Sequence, residues 1–210
     1  YFVNRRLQLG LSRWDDLNLA SALGGLSEAM ILSFPNGASE TKPAPATASG
    51  RPLRSWFPDA GILVARPRDG SPTSLAAAMK GGHNAEHHNH NDVGSYTVFL
   101  GGRTTLVDPG GEVYTARPFS ARRYESNLLN SFGHPVPLVA GKQQSPGAKY
   151  LATVLAADFT DASDTLKLDL KAAYEVPELK ALTRTFTYSR DASASLTVQD
   201  DVAFTSPQAF

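Results

Sequence analysis

Four segments in the second half of the chain, residues 150–158, 165–174, 182–188 and 195–204, alternate apolar and polar side chains. In the second of them Leu166, Leu168 and Leu170 alternate with Lys167, Asp169 and Lys171, a period of two that puts the leucines on one face of a strand. Such strands bury their apolar face by pairing into sheets, and antiparallel strands at this spacing predict a β-sandwich. Composition agrees. With 14 prolines, 17 glycines and 19% charged residues, the chain favours short strands and turns over a helical bundle. A hydrophobic content of 41% over 210 residues supports a full core, in one large domain or one domain plus a piece of another.

The first half has a different texture. Residues 12–32 are expected to form a helix, with Ser12 as N-cap, Asp15 and Asp16 in the first turn, and Leu19, Leu23, Leu26 and Met30 on one stripe. Residues 35–53 are rich in Pro, Ala, Ser and Thr and are expected to be a linker. This predicts a helical segment over 1–34, the tail of a preceding domain, and a β-domain over 54–210. The abrupt start and end suggest a fragment of a longer protein, incomplete at its C-terminus.

Formal net charge is zero, so no global field recruits nucleic acid or an acidic membrane. Cysteine is absent, which excludes disulfides and thiol chemistry. No apolar run approaches the ~18–20 residues of a membrane-spanning helix, so no membrane insertion is expected. The opening YFVNRRLQLG lacks the apolar core and cleavage site of a signal peptide.

Chemistry concentrates in residues 81–108. Four of the five histidines, His83, His87, His88 and His90, fall within eight positions, and Asp92 follows. Imidazole with carboxylate is a ligand set for Zn²⁺ or a similar ion, and clustered histidine also suits proton transfer near neutral pH. Residues 95–100 and 103–107 flank Gly101-Gly102, a two-residue hairpin loop that tolerates positive φ. Pairing Leu100 with Arg103 places Asp108 opposite Ser95, at the histidine end of the hairpin. If residues 88–90 are extended, His88 and His90 share a face and His87 points elsewhere. One of the pair can then bind metal, with Asp108 and the isolated His134 completing a His–Asp–His set. His83 and His87 are expected to be hydrogen-bonding or loop residues.

His88, His90 and Asp92 also form the HxHxD pattern of metallo-β-lactamase-type hydrolases. Those continue with another histidine where Val93 stands here, and they need more helix than this chain offers. No HExxH, P-loop or GxSxG occurs.

Several separated motifs agree in order with one family. The stretches His88-Asn89-His90-Asn91-Asp92-Val93-Gly94-Ser95-Tyr96, Leu106-Val107-Asp108-Pro109-Gly110, Arg123-Tyr124 and Ser131-Phe132-Gly133-His134 closely resemble the heparinase II/III family of bacterial polysaccharide lyases. The lead-in Phe57-Pro58-Asp59-Ala60-Gly61 and the later Gly141-Lys142-Gln143-Gln144 are similar to it too.

The resemblance implies an α/α-toroid domain followed by an antiparallel β-sandwich, with the active site in the cleft between them. It implies that His88 acts on substrate and that His90, Asp108 and His134 hold a structural zinc ion. Tyr114 and Tyr124 would sit at the cleft, and Asp92 would brace the loop. The implied reaction is β-elimination on a uronic-acid polysaccharide of the heparin, heparan or alginate kind. Charge on the carboxylate is neutralised, a base removes the adjacent proton, and the glycosidic oxygen leaves from the neighbouring carbon. Arg117, Arg122 and Arg123 are candidates to pair with carboxylate or sulfate. The toroid domain would supply the remaining catalytic groups, and residues 1–34 carry Tyr1 but no counterpart of its motifs. The chain alone is therefore expected to bind metal with little lyase activity. A periplasmic or secreted location is implied by the same resemblance. The alternative is a non-catalytic, zinc-stabilised glycan-binding or structural module, which would need His90, Asp108 and His134 but not His88.

Overall fold

The computed structural model describes residues 52–210, and these are mainly β, in antiparallel sheets. The expected helix over 12–32 and nearly all of the linker lie outside the described residues. Eleven strands follow in order: β1 Arg54–Phe57, β2 Ile62–Ala65, β3 Ala76–Lys80, β4 His83–Asn84, β5 Tyr96–Leu100, β6 Arg103–Leu106, β7 Gly147–Leu151, β8 Thr153–Phe159, β9 Ser163–Asp169, β10 Leu179–Ser189 and β11 Ser195–Phe204. Among the described residues the only helical elements are short 3₁₀ turns, at Arg117–Phe119, Arg123–Glu125, Ser131–Gly133 and Lys171–Ala173.

The strands make a five-stranded sheet in the order β1-β2-β3-β5-β6, a four-stranded sheet in the order β11-β10-β9-β8, and a β4-β7 pair. Period two is realised where it is clearest: Leu166, Leu168 and Leu170 are fully buried while Lys167 and Asp169 are half-buried on the other face. Both large sheets contribute to one core, with Leu63, Ala77 and Met79 from the first and Leu166, Leu182, Phe186 and Tyr188 from the second. Tyr96 meets Phe186 edge-on at 5.6 Å between centroids, and the Tyr188 hydroxyl donates to the Leu75 carbonyl at 2.6 Å. These contacts tie the sheets at the strands that lead into and out of residues 81–95.

Three expectations need correction. The segment expected as one strand over 150–158 is broken at Ala152: β7 pairs with β4, while β8 joins β9. Alternation specifies a face but not a partner. The strand expected over 165–174 ends at Asp169, and residues 171–173 form a 3₁₀ turn whose first N–H, that of Lys171, donates to the Asp169 carboxylate at 2.8 Å. In the hairpin, Leu100 pairs with Arg103 and both glycines take positive φ, as expected. A bulge then shifts the register, so that Val98 faces Leu106 and Asp108 no longer falls opposite Ser95.

Gly94 marks the close approach of the two sheets beside the histidine loop. Its φ is +83°, and a Cβ there would lie 2.7 Å from Leu170 Cδ1. Leu170 is fully buried and cannot withdraw. Gly94→Ala is expected to cost about 2–3 kcal/mol through left-handed strain and overpacking, measured by urea denaturation. A cost below about 0.5 kcal/mol would show that the loop relaxes away from Leu170.

Candidate metal centre and histidine loop

Three separate segments converge on one point. His90 comes from the loop between β4 and β5, Asp108 lies two residues past β6, and His134 follows the Ser131–Gly133 turn. One potential ligand atom from each lies within 4.8 Å of the others. Asp108 Oδ2 is 3.3 Å from His134 Nδ1 and 3.9 Å from His90 Nδ1. Ligands on a tetrahedral zinc at 2.0–2.1 Å would sit about 3.3 Å apart, so a small closure of the set would complete the geometry.

The outer atoms of the set are already engaged. His134 Nε2 donates to the Leu128 carbonyl at 3.2 Å, which fixes the tautomer and leaves the Nδ1 lone pair facing inward. That Nδ1 is buried and has no hydrogen-bond partner among the described residues. Asp108 Oδ1 accepts the Gly110 N–H at 2.8 Å, leaving Oδ2 for the centre. Burial, partly opposed by the nearby Asp108 carboxylate, holds the His90 imidazole below its ordinary pKa, which favours the neutral form that binds metal. The orphaned buried nitrogen and the oriented N, N, O donor set fit a divalent ion of the zinc type.

Asp92 stands apart from this set. Its buried carboxylate takes Lys80 Nζ at 2.5 Å, and Lys80 also lies 3.7 Å from Glu86. The loop is thus braced from β3. His83 Nδ1 accepts the Ala85 N–H at 3.1 Å, and His87 is exposed in the turn.

The expectation of an extended 88–90 segment is overturned. His87 and His88 lie in a turn, and His88 has φ of +55°. A left-handed non-glycine residue costs of order 1–3 kcal/mol and persists only where its surroundings over-determine it. The consequence is that His88 and His90 engage different neighbours. The exposed His88 ring stacks on Tyr114 at 6.3 Å and meets Phe119 edge-on at 6.2 Å, while His90 lies 5.0 Å from His134. Tyr114 and Phe119 are themselves 69% and 59% exposed, so these rings form an open aromatic surface beside the triad. Tyr124 reaches the same loop, its hydroxyl donating to Asn89 Oδ1 at 3.1 Å.

The three arginines expected to meet an acidic ligand all have internal partners. Arg117 pairs with Glu112, and Arg122 pairs with Glu125 at 2.9 Å. The Arg122–Glu125 pair is solvent-exposed and weak enough to exchange for a ligand, while Arg117 is exposed but its Glu112 is largely covered. Arg123 is half-buried and committed to backbone carbonyls.

Two residues behind the site carried no expected role. Arg184 is buried in β10, forms a bidentate pair with Asp200 at 2.7 Å for each bond, and donates through Nη1 to the carbonyls of Gly94 and Pro135. It thereby joins the end of the histidine loop to the residue after His134. Its signal in the sequence is a charge at an inward position, between Leu182 and Phe186. Gln144 bonds both the N–H and the carbonyl of Val93, receives Asn84 Nδ2, and its backbone N–H donates to Ser131 Oγ. The adjoining Tyr174 hydroxyl donates to Pro137 O at 2.7 Å, and burial pushes its pKa up to about 12.

A comparison with known proteins finds no family that matches this chain and no curated protein that matches it. Among the described residues no helix is long and apolar enough to cross a membrane.

Proposed function

We propose that this chain is the β-sandwich portion of a heparinase II/III-like polysaccharide lyase, which holds a structural zinc ion and cleaves a uronic-acid glycan by β-elimination. The observation that carries the proposal is the division of labour within one short loop. His90 faces Asp108 and His134, while His88, two residues earlier, is turned out to solvent beside Tyr114 and Phe119. A zinc-stabilised module without chemistry has no use for a strained, exposed histidine there.

In this function the zinc ion cross-links three segments and takes no part in bond breaking. His88 removes or donates a proton at the reacting sugar, Tyr114 and Tyr124 border the cleft, and Arg117 and Arg122 exchange their glutamates for the carboxylate or sulfate of the glycan. A base takes the proton beside the uronate carboxylate, the C–H electron pair forms the new double bond, and the glycosidic oxygen leaves with the C–O pair and takes up a proton to become a hydroxyl. The remaining catalytic groups would come from an α/α-toroid domain of the same protein, and a periplasmic or secreted location suits a polysaccharide substrate.

The test is the chain joined to that domain and incubated with heparin-like and alginate-like glycans, following ultraviolet absorbance of unsaturated uronate. His88→Ala is expected to lower kcat by about 10²–10⁴-fold with zinc content unchanged. New reducing ends without unsaturated product would identify a hydrolase. Glycan binding without cleavage would identify the non-catalytic module.

A further inference from the structure

Among the described residues the guanidinium of Arg123 faces no carboxylate but two peptide groups, with the Tyr124 ring 5.8 Å away. Nε and Nη2 donate to the carbonyl of Asn89 at 3.3 and 2.8 Å, and Nη1 donates to the carbonyl of Pro118 at 2.7 Å. Asn89 is the single residue between His88 and His90, and Pro118 immediately precedes Phe119. One planar cation therefore grips the Asn89–His90 peptide, one residue beyond His88, and the Pro118–Phe119 peptide, and so bridges the two segments whose rings His88 and Phe119 meet at 6.2 Å. The side chain of Asn89 is held as well, receiving the Tyr124 hydroxyl at 3.1 Å and donating to the His90 carbonyl at 2.9 Å.

We propose that Arg123 is a positioning residue rather than a ligand for the glycan. It clamps Asn89 to Pro118 and so holds His88, at φ of +55°, against Tyr114 and Phe119. The role depends on the fork of the guanidinium, because two carbonyls in different directions must be served by donors in one plane. A lysine ammonium in the same place is a point charge on a mobile stem and serves one carbonyl at a time. Only the chemistry assigned to His88 rests on the lyase function proposed above; the clamp itself does not.

The experiment is ¹H–¹³C NMR of the histidine rings in the purified 210-residue chain, with metal content measured on the same samples. His88 signals are assigned by their loss in His88→Gln. Stacking on Tyr114 and Phe119 displaces them from those of exposed His87. In Arg123→Ala and Arg123→Lys that displacement is expected to be lost while metal content stays at the wild-type level. Millimolar guanidinium is expected to restore it in Arg123→Ala only. Wild-type His88 signals in both variants would overturn the proposal, as would loss of metal in step with loss of the displacement. If Arg123→Ala does not fold, Arg123→Lys decides, since its stem keeps the packing. Because no turnover is read, an inactive enzyme leaves the clamp standing, and unmoved His88 signals reject it even in an active lyase.

Discussion

Zinc added to the metal-free chain is expected to raise its melting temperature by roughly 10 °C, and His134→Ala is expected to abolish that rise. The size follows from linkage: a ligand at a thousand times its Kd stabilises the native state by about 4 kcal/mol. For a chain of this length each kcal/mol moves the midpoint by about 2–4 °C. The stabilisation is specific to the folded state, because His90 in the loop before β5, Asp108 two residues past β6 and His134 after the Ser131–Gly133 turn meet only there. His134→Ala also removes buried atoms, so the informative quantity is the difference between melts with and without zinc, not either melt alone. Metal stoichiometry near one per chain, falling toward zero in His134→Ala and in Asp108→Ala, completes the measurement. His88→Ala should keep both the metal and the rise. Melting that ignores zinc in the wild-type chain would reject the triad as a metal site.

The parts of the molecule that were legible in the sequence are those fixed by local periodicity. The buried leucines of β9, the two positive-φ glycines of the hairpin and the bounds of β11 follow from alternation and turn chemistry within a few residues. Asp108 and His134 were legible as candidate ligands because histidine is scarce and a hairpin returns Asp108 toward the cluster, whereas the choice of His90 over His88 came only from the resemblance to the heparinase II/III family. What escaped depends on residues far apart in the chain. The left-handed turn at His88 adjoins Asn89, whose carbonyl is held by Arg123, 34 residues beyond Asn89, and no spacing rule within 88–90 reports it. The bulge in β6 is equally silent, since it adds a residue without breaking the apolar pattern. Arginine in a sequence announces a charge but not its partner, which is why Arg123 and Arg184 turned out to hold backbone carbonyls.

Asp164→Leu is expected to destabilise the chain by about 3–5 kcal/mol, the cost of leaving a buried cation uncompensated. Asp164 is fully buried at the start of β9 and receives Arg54 Nε at 2.6 Å and Arg190 Nη2. Arg190, just past β10, is almost wholly enclosed and also donates to the carbonyls of Leu53 and Arg66 at 2.8 Å each. The cluster therefore fastens β1 and β2 of one sheet to β9 and β10 of the other. Arg54 is partly exposed and can turn to solvent, but Arg190 cannot, so the penalty falls on Arg190. This makes the double variant Asp164→Leu with Arg190→Met the decisive comparison. An apolar pair in place of a buried ion pair is close to neutral, so the double variant should recover a large share of the single variant's loss, read as urea midpoints at constant slope. A double variant as unstable as Asp164→Leu alone would mean that the carbonyl bonds of Arg190, not its charge, hold the sheets. Zinc content should be unchanged in both variants, since the cluster shares no partner with the triad, and its cost should add to that of His134→Ala. Independent costs would establish that the sheet framework stands without the metal, and that the ion's work is confined to the loop that presents His88.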